Sequence, residues 1–204
     1  EEILAVPGRG ALNIHGSLLP KYRGRCPLNW AIIHGETETG ATLHHMIKKA
    51  DAGDIVDQIA FPIGVNDVAG KVMEGIQAAS VQLLRRHLDA LKTGTAPRKP
   101  LDISLGAYFG GRSAKDGIID WQLPSQAIHN LIRSQLPYPQ YPGATTTYRG
   151  KPLRILGSRV VSITCDGLPG QITSLQPLRV GRLEITDYQW IDGEEKLALG
   201  EVFV

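Results

Sequence analysis

Apolar and polar positions change rhythm several times along the chain, and each rhythm predicts a different element. The run Ala11-Leu-Asn13-Ile-His15 reads as a strand that breaks at Gly16, Ser17 and Pro20, leaving a loop to Gly24. Pro27 to Ile33 follows as a short helix with proline in its first turn and Leu28, Ala31 and Ile32 on one face; Gly35 ends it. Ala41–Ile47 and Ile55–Phe61 favour strands, separated by the polar loop Lys48–Gly53. Val68, Val72, Ile76, Ala79, Leu83, Leu84, Leu88 and Leu91 then recur at helical spacing, predicting one long amphipathic helix that stops at Gly94.

A proline-containing basic stretch, Thr93–Pro100, reads as a linker. A second amphipathic helix is expected over Ser125–Leu136, with Ser125 as N-cap and Ile128, Leu131 and Ile132 facing inward. Pro137, Pro139 and Pro142 dictate an extended path after it. From Ala144 the texture becomes short β-prone runs between Gly and Pro: 145–148, 153–156, 160–164, 170–173, 183–188 and 197–204. That spacing predicts a small barrel or sandwich. The expected organisation is an α/β domain over residues 1–100 and a helix plus a β-barrel-like domain over 101–204.

Composition narrows the class. The 204 residues are 42% hydrophobic and 21% charged, as in ordinary globular proteins. The 22 Lys and Arg nearly cancel the 20 Asp and Glu, so no whole-molecule charge draws the chain to nucleic acid or an anionic membrane. From Arg112 onward ten basic residues face nine acidic ones, so the β-rich part offers no basic excess for RNA either. Cys26 and Cys165 are expected as separate thiols of a cytoplasmic protein, since no run is apolar enough to span a bilayer. His34, His44 and His45 lack metal-site spacing and a cysteine partner, so no metal is expected.

The chemistry concentrates at the first strand. Asn13 and His15, two residues apart, point to the same side of an extended backbone. His15 can exchange protons near neutrality. Asp51, opening an Asp-Ala-Gly53 turn, is the candidate carboxylate to favour the imidazolium if the two strands are neighbours. Asn13 would offer an amide N–H to an oxygen gaining negative charge during acyl transfer. No Ser or Cys nucleophile accompanies them, so the substrate must bring its own.

Asn13-Ile-His15-Gly-Ser17-Leu-Leu-Pro20, Gly24, Gly40-Ala-Thr42 and Asp51-Ala-Gly53-Asp-Ile55 together resemble the signature of the 10-formyltetrahydrofolate-dependent formyltransferases. The likeness covers roughly residues 1 to 92 and continues more loosely beyond. His15 to Arg25, with Pro27-Leu-Asn-Trp30 and Gly35-Glu-Thr-Glu-Thr-Gly40, is most similar to members that formylate UDP-4-amino-4-deoxy-L-arabinose; methionyl-tRNA formyltransferases are a second, less similar branch. The resemblance implies the later part of a Rossmann-like catalytic domain followed by an OB-like barrel. It also implies His15 as general acid/base, Asn13 as oxyanion stabiliser and Asp51 as the carboxylate tuning His15. Arg25 and the loop Ile47-Lys48-Lys49-Ala50-Asp51 would contact 10-formyltetrahydrofolate, and the acceptor would be a small amine, a nucleotide-linked amino sugar. The family's first strands have no counterpart here, so a preceding segment, an oligomer or an inactive folate-binding fragment are further expectations.

Overall fold

The computed structural model describes residues 2–136, 143–163, 167–176 and 178–204. Pro137, Pro139, Pro142 and Cys165 lie outside the described residues. The chain divides into two compact units: the first takes in the chain to Ala31, Glu36–Val65 and Lys71–Gly111, the second Ile32–Gly35, Asn66–Gly70 and Arg112–Val204. Residues 101–111, expected at the start of the second domain, therefore belong to the first unit.

In chain order the first elements are α1 (Glu2–Ala5), β1 (Leu12–His15), β2 (Arg23–Gly24), α2 (Pro27–Ile33), β3 (Glu38–His45), β4 (Ile55–Pro62), α3 (Ala69–Thr93) and β5 (Tyr108–Phe109). β1, β3 and β4 form one antiparallel sheet in that spatial order, with Asn13 opposite His44 and His15 opposite Thr42. β3 is buried from Thr39 to His45, as suits the central strand. The strand expected over Ala41–Ile47 thus begins three residues earlier and stops at His45, where Met46 and Ile47 become exposed.

α3 buries Val72, Ile76, Ala79 and Leu83 along one stripe, and Gly75 lets the Phe61 ring of β4 approach its backbone. Leu84 and Leu88, read as part of that stripe, are 43% and 47% exposed. A helix turns about 100° per residue, so Leu84 faces away from the face that Leu83 occupies. Beyond the linker the chain returns to pair β5 in parallel with β2, aligning Arg23 with Tyr108 and Gly24 with Phe109. This pairing, absent from the sequence reading, fixes the loop that follows the first strand.

The second unit contains α4 (Ser125–Arg133), β6 (Ala144–Tyr148), β7 (Lys151–Val160), β8 (Ile172–Leu175), β9 (Leu178–Val180) and β10 (Leu183–Trp190). α4 starts one residue earlier than a Ser125 cap requires: Pro124 holds the N-cap position, and no side chain caps it. The strands form a five-stranded sheet ordered β6-β7-β10-β9-β8, and among the described residues its two edge strands do not pair, so the strand ladders do not close into a barrel. The expected strand at 197–204 is reduced to single bridges, Tyr148 with Phe203 and Gln171 with Val202. Phe203 is nonetheless fully buried, stacked on Trp121 at 5.5 Å and edge-on to Tyr148 at 5.6 Å. With Leu153, Ile155, Leu183 and Ile132 of α4 these rings make the unit's core.

Candidate active site

Asn13, His15 and Asp51 meet at one end of the antiparallel sheet. β1 presents Asn13 and His15 on one face, and the turn after β3 brings Asp51 across to them. That turn needs its residue types. Asp51 has a left-handed backbone (φ 49°), which Asp tolerates better than most residues, and a Cβ at Gly53 would run into the His45 carbonyl. The Asp51 carboxylate lies 3.6 Å from His15 Nδ1 and 3.5 Å from Asn13 Nδ2 through Oδ1, while Oδ2 accepts a 2.8 Å hydrogen bond from the Gly24 amide. The side chains of His15 and Asp51 are only 7% and 13% exposed, so their interaction is little screened by solvent.

His15 has a defined proton. Its Nε2 stands 2.8 Å from the Tyr22 carbonyl oxygen, which can only accept, so Nε2 carries hydrogen and Nδ1 is the nitrogen turned to Asp51. Tyr22 itself is held in the left-handed region (φ 55°). Its hydroxyl donates to Glu36 Oε1 at 2.9 Å, and its ring packs on Phe109 at 5.1 Å. Burial, then the neighbouring Glu36, pushes the Tyr22 phenol far above its ordinary range, so that hydroxyl stays protonated. Ser17 is committed to structure: its hydroxyl donates to the Lys21 carbonyl at 2.6 Å.

His44 joins the three residues read from sequence. It is 2% exposed, opposite Asn13 in the β1–β3 register, with Nε2 at 3.2 Å from Asn13 Nδ2 and 3.6 Å from Asp51 Oδ1. Burial pushes its pKa below the ordinary histidine value, outweighing the opposing pull of the His45 carbonyl and Asp51. Nδ1 donates to the His45 carbonyl at 3.0 Å, so a neutral His44 offers a bare Nε2 to the Asn13 amide and sets which way that amide faces. Its only sequence signal was its place seven residues before Asp51, which acquires meaning once the antiparallel register is known.

The residues expected at the cofactor sit at the same edge. Ile47, Lys48, Lys49 and Ala50 are exposed beside Asp51; Arg25 is exposed too, with its guanidinium against the Gly111 backbone. Among the described residues no group of three or more His, Cys, Asp and Glu is arranged to hold a metal ion, and no helix is long and apolar enough to cross a membrane. What the cluster can do is hold a proton on a buried imidazole beside a carboxylate and an amide, without a nucleophile of its own.

Residues 1–88 match the family described as formyl transferase, and residues 112–182 match its C-terminal domain. The chain belongs to the formyltransferase family. Its fold agrees with solved formyltransferase structures. One is an N-formyltransferase from Helicobacter canadensis in complex with folinic acid and dTDP-3-aminofucose, 22% identical over 87% of this chain with a TM-score of 0.71. Another is WlaRD, a sugar 3N-formyl transferase solved with dTDP and 5-N-formyl-THF, 21% identical over 90% with a TM-score of 0.71. HypX from Aquifex aeolicus is 22% identical over 89% with a TM-score of 0.69. The chain spans 64%, 66% and 32% of those three proteins respectively.

Proposed function

We propose that this formyltransferase moves a formyl group from 10-formyltetrahydrofolate to the primary amine of a nucleotide-linked amino sugar, in the cytoplasm, on a Rossmann-like domain. The observation that carries the proposal is the convergence of Asn13, His15 and Asp51 within 3.6 Å, with a proton fixed on His15 Nε2. The donor set fits the co-substrate: an amide and an imidazole for a developing oxyanion, and an exposed loop at 47–50 with Arg25 to hold the folate. Bound there, 10-formyltetrahydrofolate supplies the activated formyl group.

As the amine attacks, His15 and Asn13 stabilise the charge gathering on the formyl oxygen. Asn13 Nδ2 reaches that oxygen by giving up its longest contact, the 3.5 Å approach to Asp51, while His44 keeps the amide turned the right way. Protonated on both nitrogens and balanced by Asp51, His15 delivers its Nε2 proton to the departing folate nitrogen as that N–H leaves the Tyr22 carbonyl, and the neutral imidazole then takes up the proton the amine sheds on becoming an amide. An amino-sugar acceptor is favoured by the enzymes of similar fold crystallised with dTDP or dTDP-3-aminofucose, and by the balanced charge of residues 112–204. A UDP-4-amino-4-deoxy-L-arabinose-like sugar is the specific acceptor we propose. The test is formyl transfer to UDP- and dTDP-linked amino sugars, to methionyl-tRNA and to water. Formylated sugar nucleotide is expected. Preferential formylation of methionyl-tRNA, or formate release without an amine, would overturn the acceptor assignment.

A further inference from the structure

We infer that Arg23 is an anion-binding residue of this site, holding a phosphate or carboxylate group of a bound ligand. Arg23 is 7% exposed, yet among the described residues its side chain has neither a hydrogen bond nor a carboxylate within salt-bridge distance, and its Nε is fully buried without a partner. A guanidinium stays charged at any physiological pH and brings five N–H donors, so burial without an anion leaves a full charge uncompensated. The other buried arginine among the described residues is paired. Arg133, 4% exposed, donates to Asn130 Oδ1 at 2.9 Å and to the Asp67 carbonyl at 2.8 Å; even exposed Lys21 reaches Glu36 at 3.2 Å.

The Arg23 backbone lies between two groups that hold the site. The residue before it gives the carbonyl that holds His15 Nε2, and the residue after it gives the amide that holds Asp51 Oδ2. The Arg23 amide donates to the Ala107 carbonyl at 3.2 Å in the β2–β5 pairing, so the backbone carrying the guanidinium is fixed on both sides. The planar fork of a guanidinium matches two oxygens of a phosphate or a carboxylate. The ligands named here rest on the formyl-transfer proposal: the acceptor carries a diphosphate and the folate a glutamyl carboxylate. The anion site itself rests on Arg23 alone.

Inorganic pyrophosphate and glutarate, standing for the two sources, should be titrated into the intact chain and into Arg23→Lys and Arg23→Met. The Arg23 Nε–H resonance and calorimetry provide the readouts. One of the two anions is expected to shift that resonance in the wild type, to bind about tenfold more weakly to Arg23→Lys and to lose measurable binding in Arg23→Met. Pyrophosphate as the winner assigns Arg23 to the acceptor, glutarate to the folate. Binding of neither anion, or equal affinity in the wild type and Arg23→Lys, overturns the proposal; the lysine variant decides if Arg23→Met fails to fold. Absence of formyl transfer with Arg23-dependent anion binding intact would count against the proposed reaction and not against this site.

Discussion

Replacing Asp51 by Asn separates charge from shape at the centre of the site. Asn is nearly isosteric, tolerates the left-handed backbone that Asp51 adopts (φ 49°), and keeps one oxygen for the Gly24 amide at 2.8 Å. What disappears is the negative charge 3.6 Å from His15 Nδ1. In an effective dielectric of about 20, opposite charges at that separation attract by roughly 4–5 kcal/mol, and each 1.36 kcal/mol lost from the transition state is about a tenfold loss in rate. Formyl transfer in Asp51→Asn should fall about a hundred- to ten-thousand-fold, in the range for loss of general acid–base function. Folding stability should change by no more than about 1.5–3 kcal/mol, the worth of one hydrogen bond to a charged group. Single-turnover formylation with saturating donor, read beside urea denaturation, measures both. A variant within about threefold of wild type, at equal stability, would refute the role given to the carboxylate.

His44 predicts a pH dependence. Its folded-state pKa is lowered, so the unfolded chain binds the proton first: this contribution to stability is full above the ordinary histidine pKa of about 6.5 and is lost as pH falls below it. Urea denaturation of His44→Gln at several pH values should show a flatter acid limb than wild type; an unchanged limb would contradict the buried neutral imidazole. Gly24→Ala forces φ +99° on an L residue and drives a Cβ into the Phe109 carbonyl, so a loss of about 2 kcal/mol or more is expected. A Gly24→Ala protein with unchanged urea midpoint would show that the β2–β5 pairing does not constrain the loop. Leu83→Ala, at a fully buried position of α3, should cost about 2–5 kcal/mol, whereas Leu88→Ala, 47% exposed, should cost well under that; equal losses would place the helix face wrongly.

The elements that carry local periodicity were legible in the chain. α2 coincides with Pro27–Ile33, and β4 and α3 differ from expectation by a residue or two at their ends. Asn13, His15 and the Asp51 turn could be named because strand alternation and the Asp-x-Gly pattern are local signals. Relations across the chain were not. Arg23 and Tyr108 are separated in sequence by two strands and a long helix, so their pairing left no local trace. The same holds for His44, whose role depends on lying opposite Asn13, and for the Tyr22 carbonyl, a backbone group that no residue type announces. In the second unit the Phe203 segment has the composition of a strand but makes only single bridges, because its burial comes from ring packing against Trp121 and Tyr148.

The most direct test of the central claim is to incubate the wild type and His15→Ala with 10-formyltetrahydrofolate and a nucleotide-linked amino sugar, following tetrahydrofolate release and the mass of the sugar nucleotide together. The account predicts that in the wild type the sugar nucleotide gains one formyl group for each tetrahydrofolate released, and that His15→Ala loses this activity by orders of magnitude while unfolding at the same denaturant concentration. Formylated product at comparable rates in both proteins, or tetrahydrofolate release without any formylated amine, would contradict it.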